Sequence, residues 1–192
     1  MTRILIVLGH PRTDSLCAGL ADAYGEGAEA SGHEVRRIDV GRLRMDPVLR
    51  TGYEPHETEE PDLIAAREAI AWAEHLVFVW PLWLGAMPAI LKGFLERTLS
   101  RGFAIKTIKG PPFYRPLLGG RSARVIVTMH MPLLIYRIMA GSRATRILRK
   151  QILNFVGIKH VRETIFGMAP NADEETRLRW LAKVRALGVE GA

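Results

Sequence analysis

Cysteine is all but absent from this chain: Cys17 stands alone among 192 residues. A lone cysteine rules out an internal disulfide, and without a Cys-x-x-Cys pair there is no thiol framework for metal or redox work. Long apolar runs are absent too, since none reaches the roughly 18–20 residues that a membrane-spanning helix needs. The opening segment passes from apolar residues straight into a polar turn with no small-residue cleavage site, so no signal peptide is expected. Three glycine signatures are also missing. There is no G-x-G-x-x-G of dinucleotide folds, no G-x-x-x-x-G-K-[ST] of P-loop proteins and no G-x-S-x-G elbow of α/β-hydrolases. The expectation is a globular domain of the cytoplasm, without stable membrane insertion.

What is present is enough for a core. Hydrophobic residues make up 48% of the chain and charged residues 24%, a balance that disfavours disorder. Lys and Arg number 27 against 20 Asp and Glu, a net charge of +7. Basicity alone does not indicate nucleic acid, and no recognisable binding motif accompanies it. No composition shift or internal repeat divides residues 1–192, which read as a single domain.

The order of elements fixes the fold class. Residues 3–9 hold the apolar run ILIVL followed by a turn, as expected of a parallel strand buried on both faces. Leu16, Leu20, Tyr24 and Ala28 then recur at four-residue spacing, one stripe of a helix over 15–31. A second strand is expected at 33–39, a helix at 62–74, and a third strand, HLVFVW, at 75–80. Pro88 suits the first residue of a helix running to about Leu99. RVIVTM at 124–129 reads as the fourth strand, 144–155 as a basic helix, 161–167 as the fifth strand and 173–187 as a closing helix. Strands alternating with helices give an α/β sandwich around a parallel sheet. Two long connections, 40–61 and 100–121, are expected to be irregular and to cover a site or partner surface.

Ligands of open α/β sheets bind beyond the C-terminal ends of the strands, near the point where strand order reverses. After the first strand comes Gly9-His10-Pro11-Arg12-Thr13-Asp14-Ser15, a polar loop opening a helix. Its hydroxyls, His10, Arg12 and the free N–H groups of the helix start would suit a phosphate; Thr13, Asp14 or Ser15 would equally suit a helix cap. After the third strand, the segment 80–94 carries two tryptophans and a methionine between prolines. It would wall a flat aromatic ligand, or pack as ordinary core.

Three stretches carry a further signal. GHPRTDS, HLVFVWPLWLGAMPAILKGFLER and RSARVIVTMHMP, in that order, resemble the flavodoxin-like NAD(P)H:quinone oxidoreductases. The resemblance implies a flavodoxin-like three-layer sandwich with a five-stranded parallel sheet in the order 2-1-3-4-5 and helices on both faces. It implies a flavin, FAD or FMN, with NAD(P)H as co-substrate and a quinone-like acceptor, working in turn at one site. By position, His10, Arg12 and Ser15 would hold the flavin phosphate, with Leu16 and Cys17 continuing the turn. Pro81, Leu82, Trp83 and Leu84 would lie along the ring. Thr128, Met129 and His130 would reach its pyrimidine end, with backbone N–H groups stabilising negative charge, and His130 and Tyr136 are the candidate catalytic groups. The resemblance also implies a homodimer, with Tyr53 and Trp180 as candidate contacts. Position 17 is Cys where many members carry Asn, and position 84 is Leu where an aromatic is common.

Other clusters were weighed beside these. The basic run Arg137, Arg143, Arg146, Arg149 and Lys150 would meet the 2′-phosphate of NADPH or an acidic partner, or form a solvated helix face. His56 with Glu57, Glu59 and Glu60 fits no usual metal-ligand spacing and reads as a solvated acidic loop. A second function class is a flavin- and nucleotide-binding regulatory subunit of a membrane transport protein, with the basic face as partner surface.

Overall fold

The computed structural model describes residues 1–50, 52, 60–139 and 141–191. Among the described residues seven strands form, of which five make one parallel sheet: β1 (Arg3–Leu8), β2 (Glu34–Asp39), β3 (His75–Pro81), β6 (Ser122–Thr128) and β7 (His160–Phe166). Their order is β2-β1-β3-β6-β7, the expected 2-1-3-4-5 arrangement. Connections leave β1 in opposite directions, so the strand order reverses between β1 and β3, and a crevice opens there.

The central strands are apolar because both faces are covered. All of β3 is buried, as are the last five residues of β1. One face packs Leu5, Val7, Leu76, Phe78, Trp80, Val125 and Val127 against α2 (Pro61–Trp72) and α3 (Ala89–Thr98). The other packs Ile4, Ile6, Leu8, Val77, Val79 and Ile126 against α1 (Leu16–Ala30) and α6 (Glu174–Glu190). These two helices touch backbone to backbone: a Cβ on Gly188 would sit 2.1 Å from the Tyr24 carbonyl, and one on Gly27 would sit 2.1 Å from that of Arg185. Only a hydrogen fits in that space. Asp173 starts α6 by accepting the Thr176 N–H at 2.9 Å.

Several local expectations are corrected. The connection at 100–121 contains an antiparallel hairpin, β4 (Ile105–Thr107) and β5 (Tyr114–Pro116), too short for an alternating pattern to be visible. Leu133–Met139 forms a helix, α4, where none was expected. The expected basic helix is instead a single turn, α5 (Arg143–Arg146), running into the wider-wound Ile147–Leu153. The segment holding Tyr53, His56, Glu57 and Glu59 lies outside the described residues. Among the described residues no helix is long and apolar enough to cross a membrane.

Candidate functional site

Ser15 is where the loop after β1 becomes a helix. Its extended backbone ends the loop, and its Oγ accepts the Ala18 N–H at 3.2 Å. The Gly19 N–H is taken by the Ser15 carbonyl at 3.1 Å. The N–H groups of the first helical turn have no carbonyl within the helix, so those of Leu16 and Cys17 remain for a ligand at the positive end of the α1 dipole. The capping and anion-binding readings are therefore compatible, because they use different groups of one helix start.

The loop itself is held from two sides. Gly41 lets the 3-10 turn Val40–Arg42 after β2 close on it; a Cβ there would lie 2.2 Å from the Pro11 carbonyl. Arg42 donates to Thr13 Oγ1 at 3.1 Å. Within the loop, His10 Nδ1 lies 2.9 Å from the Arg12 nitrogen and 3.0 Å from the Arg12 carbonyl oxygen, so the ring accepts from the first in one tautomer and donates to the second in the other. Burial lowers the His10 pKa, against the opposing hydrogen bond to the Arg12 carbonyl, so the ring is neutral at pH 7. Arg12 reaches Asp14 with two donors, at 2.9 and 2.8 Å, and this pairing holds the Asp14 carboxyl below its ordinary range. A phosphate would share Arg12 with that carboxylate.

Two further strand ends meet the loop. Thr128 closes β6, and its carbonyl accepts the Leu82 N–H at 2.7 Å, tying the loop after β3 to the end of β6. Cys17 Sγ lies 3.2 Å from Thr128 Oγ1. The thiol is 2% exposed, and burial raises its pKa to about 11, so Cys17 packs as a small neutral group. Between these elements lies a cavity of about 170 Å³ lined by His10, Ser15, Leu16, Cys17, Pro81, Thr128, Ala169 and Pro170. Its size would admit a phosphate and its neighbouring atoms but no larger ring system.

The structure thus gathers six of the expected residues, from three different loops, into one concavity. Ala169 and Pro170 were missed. They follow β7, and the rule that pointed to the ends of three other strands pointed equally to this one. Trp83 lies beside the cavity with its ring edge-on to His10 at 5.2 Å, and it is 46% exposed, whereas Trp80 is wholly core. Leu84 stands clear of the cavity. It sits with Gly85 at the tip of a tight turn closed by reciprocal Trp83 and Ala86 hydrogen bonds, fully exposed, with φ +47°.

Other expected residues are placed elsewhere or already engaged. Tyr136 is 2% exposed, and its hydroxyl accepts the Thr145 N–H at 3.3 Å, so it braces α4 against α5. The Met129 N–H donates to the Phe166 carbonyl at 2.9 Å and is no free donor for a ligand. His130 is exposed on the turn that follows β6. In the basic run, Arg149 lies 3.3 Å from Glu163. Trp180 packs on Phe166 of its own chain at 4.9 Å. Among the described residues no group of three or more His, Cys, Asp and Glu is placed to hold a metal ion.

Comparison with known proteins places this geometry. Over 107 residues the chain is 34% identical to the Uncharacterized NAD(P)H oxidoreductase YcaK of Escherichia coli, a match covering 53% of this chain and 55% of that one. It is 31% identical over 123 residues to NAD(P)H dehydrogenase (quinone) 1 of Rattus norvegicus, covering 53% of this chain and 44% of the rat protein. The chain therefore spans about half the length of each of these two relatives. The crystal structure of Smu.1420 from Streptococcus mutans superimposes with a TM-score of 0.83 at 29% identity, over 98% of this chain and 99% of that one. A family model described as the flavodoxin-like fold matches residues 2–187, and the chain belongs to that family.

Proposed function

We propose that the chain is a flavin-carrying oxidoreductase that takes hydride from NAD(P)H and passes it to a quinone or a similar flat acceptor. The observation that carries this reading is the single concavity at the reversal of strand order, where a capped helix start offers two N–H groups beside His10, Pro81 and Thr128. The names of the E. coli and rat relatives support it. The residues fit a flavin nucleotide: a helix N-terminus for its phosphate, a neutral imidazole in His10 and an exposed aromatic edge in Trp83.

A bound flavin would supply the hydride-accepting and hydride-donating chemistry. The protein's part is to bind and orient. The Leu16 and Cys17 N–H groups would hold the phosphate, joined by the Ser15 hydroxyl once it turned from the Arg12 carbonyl that it now bonds at 3.3 Å, while Arg12 would balance its charge. Pro81, Leu82 and Trp83 would border the ring, and the half-exposed Trp83 would leave room for a nicotinamide and an acceptor to be held there in turn. Thr128 fixes the junction of two loops beneath it. His130, exposed on the turn after β6, would give a proton to the acceptor oxygen. Tyr136 acts in this reading as a brace and not as a catalytic group. A homodimer belongs to the same reading, with the second chain closing the open side of the crevice.

The test is the visible spectrum of the purified protein, incubated with FMN or FAD and then given NADPH or NADH without air. A flavin spectrum that bleaches and returns on adding quinone supports the proposal, and double-reciprocal plots should then be parallel across acceptor concentrations. A protein that binds neither flavin overturns it.

A further inference from the structure

The opposite end of the sheet carries chemistry that this activity leaves unused. Parallel register sets the first residues of three neighbouring strands, His75, Ser122 and His160, in one row. Arg124 and Arg162, paired with each other two residues further on, continue the same face of the sheet. His75 is 1% exposed, with Nδ1 2.7 Å from Ser122 Oγ and Nε2 buried without a hydrogen-bond partner. Buried polar atoms are nearly always satisfied, so an orphan of this kind points to a missing partner.

Beside His75 opens a cavity of about 470 Å³, within the range of small-ligand sites. Lys159, His160 and Arg162 stand at its rim, beside Ser122 and the strand backbone at Ala123 and Val161. None of these three rim side chains makes an ion pair among the described residues, and no acidic residue lines the cavity. The Glu190 carboxylate acts on Arg124, whose guanidinium also donates to Thr164 at 3.0 Å. An ammonium, a guanidinium, an imidazole and a hydroxyl converging without a counter-charge make a focused positive field. That set matches a phosphate dianion, with the Arg162 fork binding two oxygens and Lys159 acting as a point charge.

We propose that this cavity binds a small phosphorylated metabolite, its phosphate held by Lys159, His160, Arg162 and Ser122. The site lies a full strand length, about 20 Å, from the candidate flavin site, so the two stand or fall separately.

The experiment titrates the isotope-labelled full chain with AMP and with inorganic phosphate, following the backbone amide signals by NMR at low and moderate salt. Saturable shifts at Ser122, Ala123 and Val161 are expected, with AMP tighter than phosphate. Lys159→Gln with Arg162→Gln should weaken binding about a hundredfold, about tenfold for each charge-assisted contact removed. Both substitutions lie on the surface and should leave thermal unfolding and flavin-dependent turnover unchanged. Ser15→Asp, at the other end of the sheet, should leave these shifts intact. The proposal is overturned if no shifts saturate, if Ser15→Asp abolishes them while the double variant does not, or if AMP binds no tighter than phosphate.

Discussion

Ser15→Ala and Ser15→Asp act on one oxygen in opposite ways, and together they test whether the start of α1 holds a phosphate. Alanine removes the acceptor of the Ala18 N–H. Loss of such a cap costs about 1 kcal/mol, which in a chain of 192 residues lowers Tm by about 2–4 °C. It also removes one hydrogen bond to a charged ligand, about 1.5 kcal/mol, or roughly tenfold in Kd. Aspartate keeps the cap, so the cofactor-free protein should melt within about 1 °C of the parent. It also sets a carboxylate beside the phosphate. At a partly exposed site the repulsion amounts to about 2 kcal/mol, weakening flavin binding about thirtyfold. Flavin fluorescence titration and thermal unfolding of the cofactor-free protein read the two effects separately. If Ser15→Asp binds FMN and FAD as tightly as the parent chain, the phosphate does not lie at this helix start and the site assignment is wrong.

Three further outcomes follow from single residues. Leu84→Asn should raise Tm by about 2–4 °C, because an exposed leucine at φ +47° carries roughly 1 kcal/mol of strain that asparagine relieves in a two-residue turn; an unchanged or lower Tm would count against that strain. Cys17, with a pKa of about 11, holds only ~0.1% thiolate at pH 8, so iodoacetamide should label the native chain far more slowly than the denatured one; comparable rates would contradict its burial. His75 is held neutral, its pKa lowered to about 4 by burial and by the charges of Arg124 and Arg162. A depressed folded pKa means that protonation favours the unfolded chain. The stabilisation is thus complete above pH 6.5 and lost as pH falls towards 4, amounting to about 3 kcal/mol. Urea unfolding across that window should show His75→Gln losing less stability than the parent.

The centre of the sheet was legible because β1 and β3 carry unbroken apolar runs between turn signals, ILIVL and HLVFVW, whereas the edge strands EVRRID and HVRETIF are mixed. What escaped was structure without a repeating pattern. The strands Ile105–Thr107 and Tyr114–Pro116 are three residues each, shorter than any reliable alternation. Leu133–Met139 is apolar on every side, so no stripe marks it as a helix. Within the site, residues next to the strand ends were readable from topology together with resemblance, which is why His10, Ser15, Leu16, Cys17, Pro81 and Thr128 converge. The roles of single groups were not. Whether Tyr136 faces a ligand or Thr145, and whether the Met129 N–H is free or bound to Phe166, depends on packing between segments distant in sequence.

The contact of Gly27 and Gly188 has a consequence in time as well as in space. The helix whose first turn forms the proposed phosphate site is made early in synthesis, yet the surface that clamps it belongs to α6, some 160 residues later along the chain. A nascent chain that has already formed every residue of the cavity still lacks the partner that holds α1 against the sheet. Long-range closure of this kind slows folding and delays cooperativity until the distant segment arrives. Ligand affinity should therefore appear only when α6 has left the ribosome and docked. Chains shortened by that one helix should fail to bind although none of the residues lining the cavity has been removed.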